Sequence, residues 1–219
     1  MGCHYDERLF MEKVTLPKQN LTPNFIGSWT MNPLSICDEL IAYFELNKNK
    51  QTRGIIAGGL NLDAKNSTDI PILPKDLKLP GNEVFEKYLL SLFSCYEDYA
   101  IQWPFLTTFA KNLQVGSFNL QRYQTGQHFQ TNHTERSSLS TLHRVFAWMT
   151  YLNDVDQKDG GSTFFSHYDL EIQPRKGLTL IWPAEWTHAH KGNLLNANRK
   201  YIITGWMHFP TRLDSLKLK

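Results

Sequence analysis

The sequence predicts an α+β domain in which a double-stranded β-helix, or jelly roll, is buttressed by helices that precede it in the chain. Two observations carry this prediction. Before residue 115 apolar residues recur at helical spacing in two segments, whereas after it short β-branched and aromatic runs alternate with tight turns. Two helices followed by seven or eight short strands are typical of a double-sheet barrel supported on one side.

The first half of the chain contains the predicted helices. A short strand over residues 25–29 leads to Asn32 and Pro33, which favour a helix with Asn32 as N-cap and Pro33 at its first position. Ile36, Leu40 and neighbouring residues place an apolar stripe on that helix. The remaining predicted elements of this half are a strand over 54–62, a polar turn over 65–69 and a second helix over 82–99.

The second half is rich in strand-forming residues, above all over 144–155. In the last predicted strand Lys200 shares a face with Trp206 and His208, because side chains alternate along a strand. Lys200 either points into the barrel, where a buried ammonium needs an anionic partner or a lowered pKa, or it is a surface lysine. The other predicted strands cover 163–165, 170–172, 178–182 and 200–209.

Length and composition predict a single domain. The 219 residues divide into a helical and β support region over 1–114, a cupin-like jelly-roll core over 115–209 and a tail over 210–219. A hydrophobic content of 41% supplies a core, and a net charge of +2 gives no signal for a nucleic-acid or membrane surface. Three widely spaced cysteines argue against a disulfide framework and predict a reducing, cytoplasmic compartment. The sequence gives no indication of the oligomeric state.

A metal site is predicted from two imidazoles and a carboxylate. His133 and Glu135 are two residues apart, so in a strand both can face one point. His188 or His190 would supply the third ligand. Two His and one carboxylate on one face of an ion, with other positions open, is the ligand set of non-haem Fe(II) oxygenases. Both histidines share a strand phase, and the ten-residue step to Lys200 favours His190.

Two other functions fit the same residues. A zinc hydrolase could use two His, one Glu and a bound water, although it would give Lys200 no role. A jelly-roll binding module without catalysis is the second alternative. It predicts that the cluster of His and Glu has no dependence on a metal or cosubstrate.

An ordered set of motifs runs through the chain: Lys65-x-Ser67-x-Asp69, Arg122-Tyr123-x-x-Gly126, His133-x-Glu135, Arg144-Val145, Gly160-Gly161-Ser162-Thr163, Pro174-x-Lys176-Gly177, His190-x-Gly192, Lys200-Tyr201 and Trp206. This set resembles the 2-oxoglutarate- and Fe(II)-dependent oxygenases, and within them the prolyl 4-hydroxylase-like group that includes phage and marine bacterial members. Two features depart from the pattern. Glu135 stands where most relatives have Asp, and the step from Tyr123 to His133 is one residue longer than expected.

The resemblance implies roles for individual residues. His133, Glu135 and His190 would hold Fe(II), and Lys200 would bind the far carboxylate of 2-oxoglutarate. The same resemblance implies that Tyr123 and Thr163 help to hold the cosubstrate, that Trp206 lies near the site and that Arg144 lies beside the substrate or forms a structural salt bridge.

The implied reaction hydroxylates an unactivated C–H. Its cosubstrates would be 2-oxoglutarate and O2, its coproducts succinate and CO2, and ascorbate is a further candidate reductant. Peptidyl proline is the group's best-known target, and a small molecule or a nucleic acid base is the alternative substrate.

Overall fold

The computed structural model describes residues 12–14, 24–56 and 58–210. Its helices are α1 (Ser35–Leu46), α2 (Glu83–Gln102) and α3 (Leu106–Phe109). Its strands are β1 (Glu12–Lys13), β2 (Gly27–Thr30), β3 (Thr52–Arg53), β4 (Thr68–Ile72), β5 (Gln114–Val115), β6 (Phe118–Gln124), β7 (Phe129–His133), β8 (Arg144–Tyr151), β9 (Thr163–Phe165), β10 (Leu170–Ile172), β11 (Leu178–Pro183), β12 (His190–Gly192) and β13 (Arg199–His208).

Two antiparallel sheets form the barrel. The major sheet has the order β1-β2-β11-β8-β13-β6-β4-β3, with β5 paired to β13, and the minor sheet has the order β10-β9-β12-β7. In the middle of each order the neighbours, such as β11-β8-β13-β6 and β9-β12-β7, are far apart in sequence. Such crossovers between two antiparallel sheets are those of a jelly roll, so the predicted fold class is confirmed. Within the described ranges, no helix has the length and apolarity needed to cross a bilayer.

The major sheet is buried on both faces, and β13 shows why. Its Ile203 and Met207 join the core that α1 and α2 cover, together with Phe44 and Tyr88. The alternate residues face the minor sheet, where Ile202 packs in a second core. Lys200 belongs to this inner face and is only 3% exposed. Of the two orientations that the sequence left open, the inward one is therefore correct.

The sequence predicted the second half of the chain better than the first. Strands β9 and β10 have the predicted bounds, and α2 begins one residue after its predicted start. The predicted start of α1 is wrong. The helix begins at Ser35 after Leu34, and no side chain caps it. Met31 still donates its backbone N–H to Gly177 O (2.8 Å), so sheet pairing holds the chain up to that point and the helix starts later.

The strand predicted over 54–62 is also wrong. The preceding β3 pairs with β4, whereas the described residues of 54–62 contribute one isolated bridge between Ile56 and Gly59. Gly59 has a φ of 98°, which turns the chain instead of extending it. The predicted buried thiols are confirmed for Cys37 and Cys95. Cys3 and all of the predicted tail except Pro210 lie outside the described residues.

Candidate active site

Three side chains converge between the two sheets. Strands β7 and β12 pair antiparallel with His133 directly opposite His190, so their rings meet with centroids 4.5 Å apart. Glu135 lies two residues past the end of β7, and its Oε1 is 3.4 Å from His190 Nε2 and 3.8 Å from His133 Nε2. One ligand atom from each residue lies within 4.8 Å of the others. The longer side chain of Glu, compared with Asp, therefore still reaches the common point.

Backbone carbonyls orient both imidazoles. His133 Nδ1 lies 2.9 Å from Thr131 O, and His190 Nδ1 lies 2.9 Å from His188 O. A carbonyl only accepts, so each Nδ1 carries the proton and each neutral ring presents a bare Nε2 lone pair to the cluster. This tautomer is the one that a metal requires.

The electrostatics of the cluster suit a divalent cation. Desolvation, followed by the neighbouring His190, lowers the pKa of His133 to about 4, so its imidazole is neutral at pH 7. Burial would raise the pKa of Glu135, but the neighbouring His190 and His133 and the hydrogen bond donated by Trp206 outweigh it and lower that pKa to about 2. One imidazole nitrogen from each histidine and one charged oxygen fit Fe(II) with open positions.

Two further residues fix the carboxylate. Trp206 Nε1 donates to Glu135 Oε2 at 2.6 Å, leaving Oε1 for the cluster. Arg144 donates to the backbone O of Glu135 at 2.9 Å, and its guanidinium stacks 3.6 Å from the centroid of the Trp206 ring. Since Glu135 lies outside regular structure, these contacts supply the rigidity that the end of β7 does not.

A second polar feature of the inner face is Lys200. Its Nζ donates to Gly161 O at 2.7 Å and lies 4.5 Å from the centroid of the Tyr123 ring, which stands directly opposite on β6. No carboxylate of the described residues forms an ion pair with it. Desolvation lowers the pKa of Lys200 to about 7. A buried ammonium with this surrounding is matched to an anionic ligand.

Thr163, which the resemblance assigns to cosubstrate binding, is buried and accepts a hydrogen bond from Tyr151 Oη at 2.6 Å. Tyr151 is completely buried and belongs to the inner core. The sequence analysis did not single it out. Strand phase could have found it, because Tyr151 shares the inner face of β8 with Ala147 and Met149.

The structure shows which of His188 and His190 joins the metal cluster, a choice that strand phase could not make. Trp186–His188 form a 3₁₀ turn, so the expectation that both histidines share a strand phase is wrong. His188 Nε2 bonds Asn24 O at 2.8 Å, and its Nδ1 lies 3.0 Å from Thr187 Oγ1. His188 contributes its backbone carbonyl to His190, and the metal cluster contains His190 alone of the two.

Comparison with known proteins agrees with this geometry. Residues 118–208 match the model of the 2OG-Fe(II) oxygenase superfamily. A prolyl-4-hydroxylase from Pseudomonas putida is similar in structure, with a TM-score of 0.66 at 15% identity over 86% of this chain and 95% of that one. No curated protein matches the chain significantly.

Two further solved structures have the same fold. A prolyl hydroxylase from Trichoplax adhaerens, in complex with a hypoxia inducible factor peptide fragment, has a TM-score of 0.66 at 15% identity, covering 90% of this chain and 89% of that one. The viral collagen prolyl hydroxylase of Paramecium Bursaria Chlorella virus-1 has a TM-score of 0.57 at 16% identity, covering 86% and 98%.

A jelly roll with a matching core segment and a His, Glu, His cluster is what an oxygenase that uses Fe(II), 2-oxoglutarate and O2 requires. Residues 118–208 match the 2-oxoglutarate- and Fe(II)-dependent oxygenase superfamily, and the fold is that of the prolyl hydroxylases to which the chain is similar. This match favours a dioxygenase over the zinc hydrolase and the binding module.

Proposed function

We propose that the protein hydroxylates an unactivated C–H of a peptide, with prolyl residues as the first candidates, and converts 2-oxoglutarate to succinate and CO2. His133, Glu135 and His190 hold Fe(II), and Lys200 binds the far carboxylate of 2-oxoglutarate. The observation that carries the proposal is Lys200. A buried ammonium that pairs with no carboxylate of the described residues faces the same inter-sheet space as the three ligands.

When bound, iron with 2-oxoglutarate and O2 supplies the oxidant for hydrogen abstraction and hydroxylation. The chain's residues orient and shield that chemistry. The His133 ring stacks on Phe129 with centroids 3.8 Å apart, and the His190 ring lies 5.1 Å from Trp182. These aromatic walls exclude water from the ligand side of the site. Tyr151 and Thr163, joined by their hydrogen bond, supply polar groups in the inner core between the sheets.

A peptide substrate is supported by a cavity next to Glu135. It has a volume of about 330 Å3 and lies at one end of the major sheet, with Arg144 and Trp206 in its wall. The remaining lining residues are Pro74, Gly116, Ser117, His143 and His208. Arg144 has more N–H donors than its bond to Glu135 uses, so it can bind a peptide carbonyl. The peptide bound to the Trichoplax relative and the collagen named for the viral relative support the same substrate class.

The proposal is tested with anaerobically purified protein supplied with Fe(II) and 2-oxoglutarate. We expect slow succinate formation and O2 uptake without a substrate, and faster turnover with proline-containing peptides, each gaining one oxygen by mass. His133→Ala should abolish turnover because one of three ligands is lost. Substitution of Zn2+ for Fe(II) should give no turnover, since zinc has no redox chemistry. A wild-type protein that binds neither Fe(II) nor 2-oxoglutarate would contradict the proposal.

A further inference from the structure

A group of buried polar side chains lies beside Lys200, and the function proposed above leaves it unused. Lys65, Ser67 and Asp69 are each at most 5% exposed. Lys65 Nζ and Asp69 Oδ2 are 2.7 Å apart, and Ser67 Oγ donates to Asp69 Oδ1 at 2.7 Å. With Gln121, these residues form the Asp69 cluster. The sequence analysis placed residues 65–69 in a polar turn, but the structure buries them where β4 begins.

Gln121 connects this cluster to Tyr123. It lies directly opposite Asp69 in the pairing of β4 with β6, and its Nε2 donates to Asp69 Oδ2 at 3.2 Å. A carboxylate only accepts hydrogen bonds, so the amide must turn its nitrogen toward Asp69. Its Oε1 then faces Tyr123 and accepts the phenol proton at 2.9 Å. The single proton of the Tyr123 hydroxyl is thereby committed to Gln121.

Tyr123 consequently presents its ring to Lys200. The two residues are cross-strand partners on β6 and β13, and the ammonium lies 4.5 Å from the ring centroid. A cation held over an aromatic face is attracted to it most strongly when both are shielded from water, as they are here. An unbroken set of contacts thus runs from the Asp69 carboxylate to the Lys200 ammonium.

We propose that Asp69 is a positioning residue for cosubstrate binding. Through Gln121 it fixes Tyr123 so that the ring, and not the hydroxyl, holds the Lys200 ammonium where it meets the far carboxylate of 2-oxoglutarate. This inference rests on the role proposed above for Lys200. It changes the role expected for Tyr123 from a residue that itself helps to hold the cosubstrate to one that positions Lys200.

Close packing around the Asp69 cluster explains how Asp69 can affect the position of Lys200, which it does not contact. A Cβ added to Gly54 would stand 2.0 Å from Ser67 Oγ and 3.1 Å from Asp69 Oδ2. The absence of a side chain at residue 54 therefore lets β3 close over the cluster. The buried side chains have little room to rearrange, so a change at one is passed to the next.

The test compares Gln121→Leu, Tyr123→Phe and the double variant with wild type. The dissociation constant of 2-oxoglutarate is measured without O2 on Mn(II)-loaded protein, and KM and kcat are measured for succinate formation. We expect each single variant to weaken 2-oxoglutarate binding about five- to twentyfold, with kcat nearly unchanged. The double variant should be no weaker than either single one, because both remove the same link.

Tyr88→Phe is the matched control. It removes a buried hydroxyl contact with Thr150 on the helix-covered face of the same sheet. It should lower the unfolding temperature and leave 2-oxoglutarate binding unchanged. If Gln121→Leu does the same, the Asp69 cluster is only structural and the inference is wrong. Effects that multiply in the double variant would also contradict it, because Tyr123 would then act independently of Gln121.

Lys200→Met separates failure of this inference from failure of the proposed function. If Lys200→Met abolishes binding while Gln121→Leu and Tyr123→Phe do not affect it, only the positioning role fails. If Lys200→Met binds 2-oxoglutarate as wild type does, the anchor itself is wrong, and the inference falls with it.

Discussion

Two buried lysines show how differently one side chain can be used. Lys65 is 4% exposed and Lys200 is 3% exposed. Lys65 has a carboxylate partner in Asp69, four residues along the chain. Lys200 has a carbonyl oxygen and an aromatic ring, and burial lowers its pKa to about 7. A buried charge is stable only when it is paired. Lys65 is paired within the protein, whereas Lys200 requires an anionic ligand as its partner.

The largest expected effect comes from breaking the buried ion pair between Lys65 and Asp69. Lys65→Met leaves the Asp69 carboxylate buried without its counter-ion, which should reduce the free energy of unfolding by about 3–5 kcal/mol. Lys65→Met with Asp69→Asn removes both charges and should recover much of that loss. Denaturant unfolding of both variants measures the difference. Equal destabilisation by the single and double variants would show that the ion pair contributes little.

Lys200→Met should weaken the binding of 2-oxoglutarate and leave the stability of the protein unchanged. It removes a desolvated charge that lacks a partner, so the unfolding temperature without cosubstrate should not fall. The affinity for 2-oxoglutarate should drop by about 100-fold, because a charge-assisted contact in a buried site is lost. Calorimetric titration and thermal unfolding check the two halves of this prediction. If Lys200→Met is destabilised but still binds 2-oxoglutarate, Lys200 stabilises the fold as Lys65 does and does not bind the cosubstrate.

The pH dependence of cosubstrate binding sharpens the comparison further. Below pH 7 Lys200 is charged in the free protein, and above it the ammonium is lost before 2-oxoglutarate arrives. The affinity should therefore fall by about tenfold per pH unit above 7, until the higher pKa of the complex is reached. Lys200→Arg is the control, because its guanidinium stays charged and should give a flat profile. Binding that strengthens as pH rises would exclude the charged lysine as anchor.

The difference between the lysines also marks what could be predicted from sequence. The inner face of β13 was predictable, because residues of one strand alternate and Lys200 shares the phase of Trp206. His133 and Glu135 were predicted to face one point for the same local reason, although Glu135 lies beyond its strand. His190 was chosen by its ten-residue step to Lys200. Asp69 was harder. Its burial depends on pairing with β6 some fifty residues away, and local polarity indicated a turn.

The wrong predictions for α1 and His188 have the same physical origin. Pro33 is a favoured first helical residue, but sheet pairing of Met31 delays α1. His188 alternates with His190 in sequence, yet the 3₁₀ turn over Trp186–His188 points its ring elsewhere. Local propensities determine which conformations have low free energy, and long-range pairing selects one of them.

An exposed ion pair provides the smallest expected effect. Lys87 and Glu39 join α2 to α1 with 3.2 Å between Nζ and Oε2, and their side chains are 56% and 43% exposed. Glu39→Gln should change the free energy of unfolding by less than about 0.5 kcal/mol, because water and salt screen both charges. Denaturant unfolding beside Lys65→Met measures this directly. A loss as large as that of Lys65→Met would mean that charge pairing at any depth stabilises this fold, and the burial of Lys65 and Lys200 would no longer explain their difference.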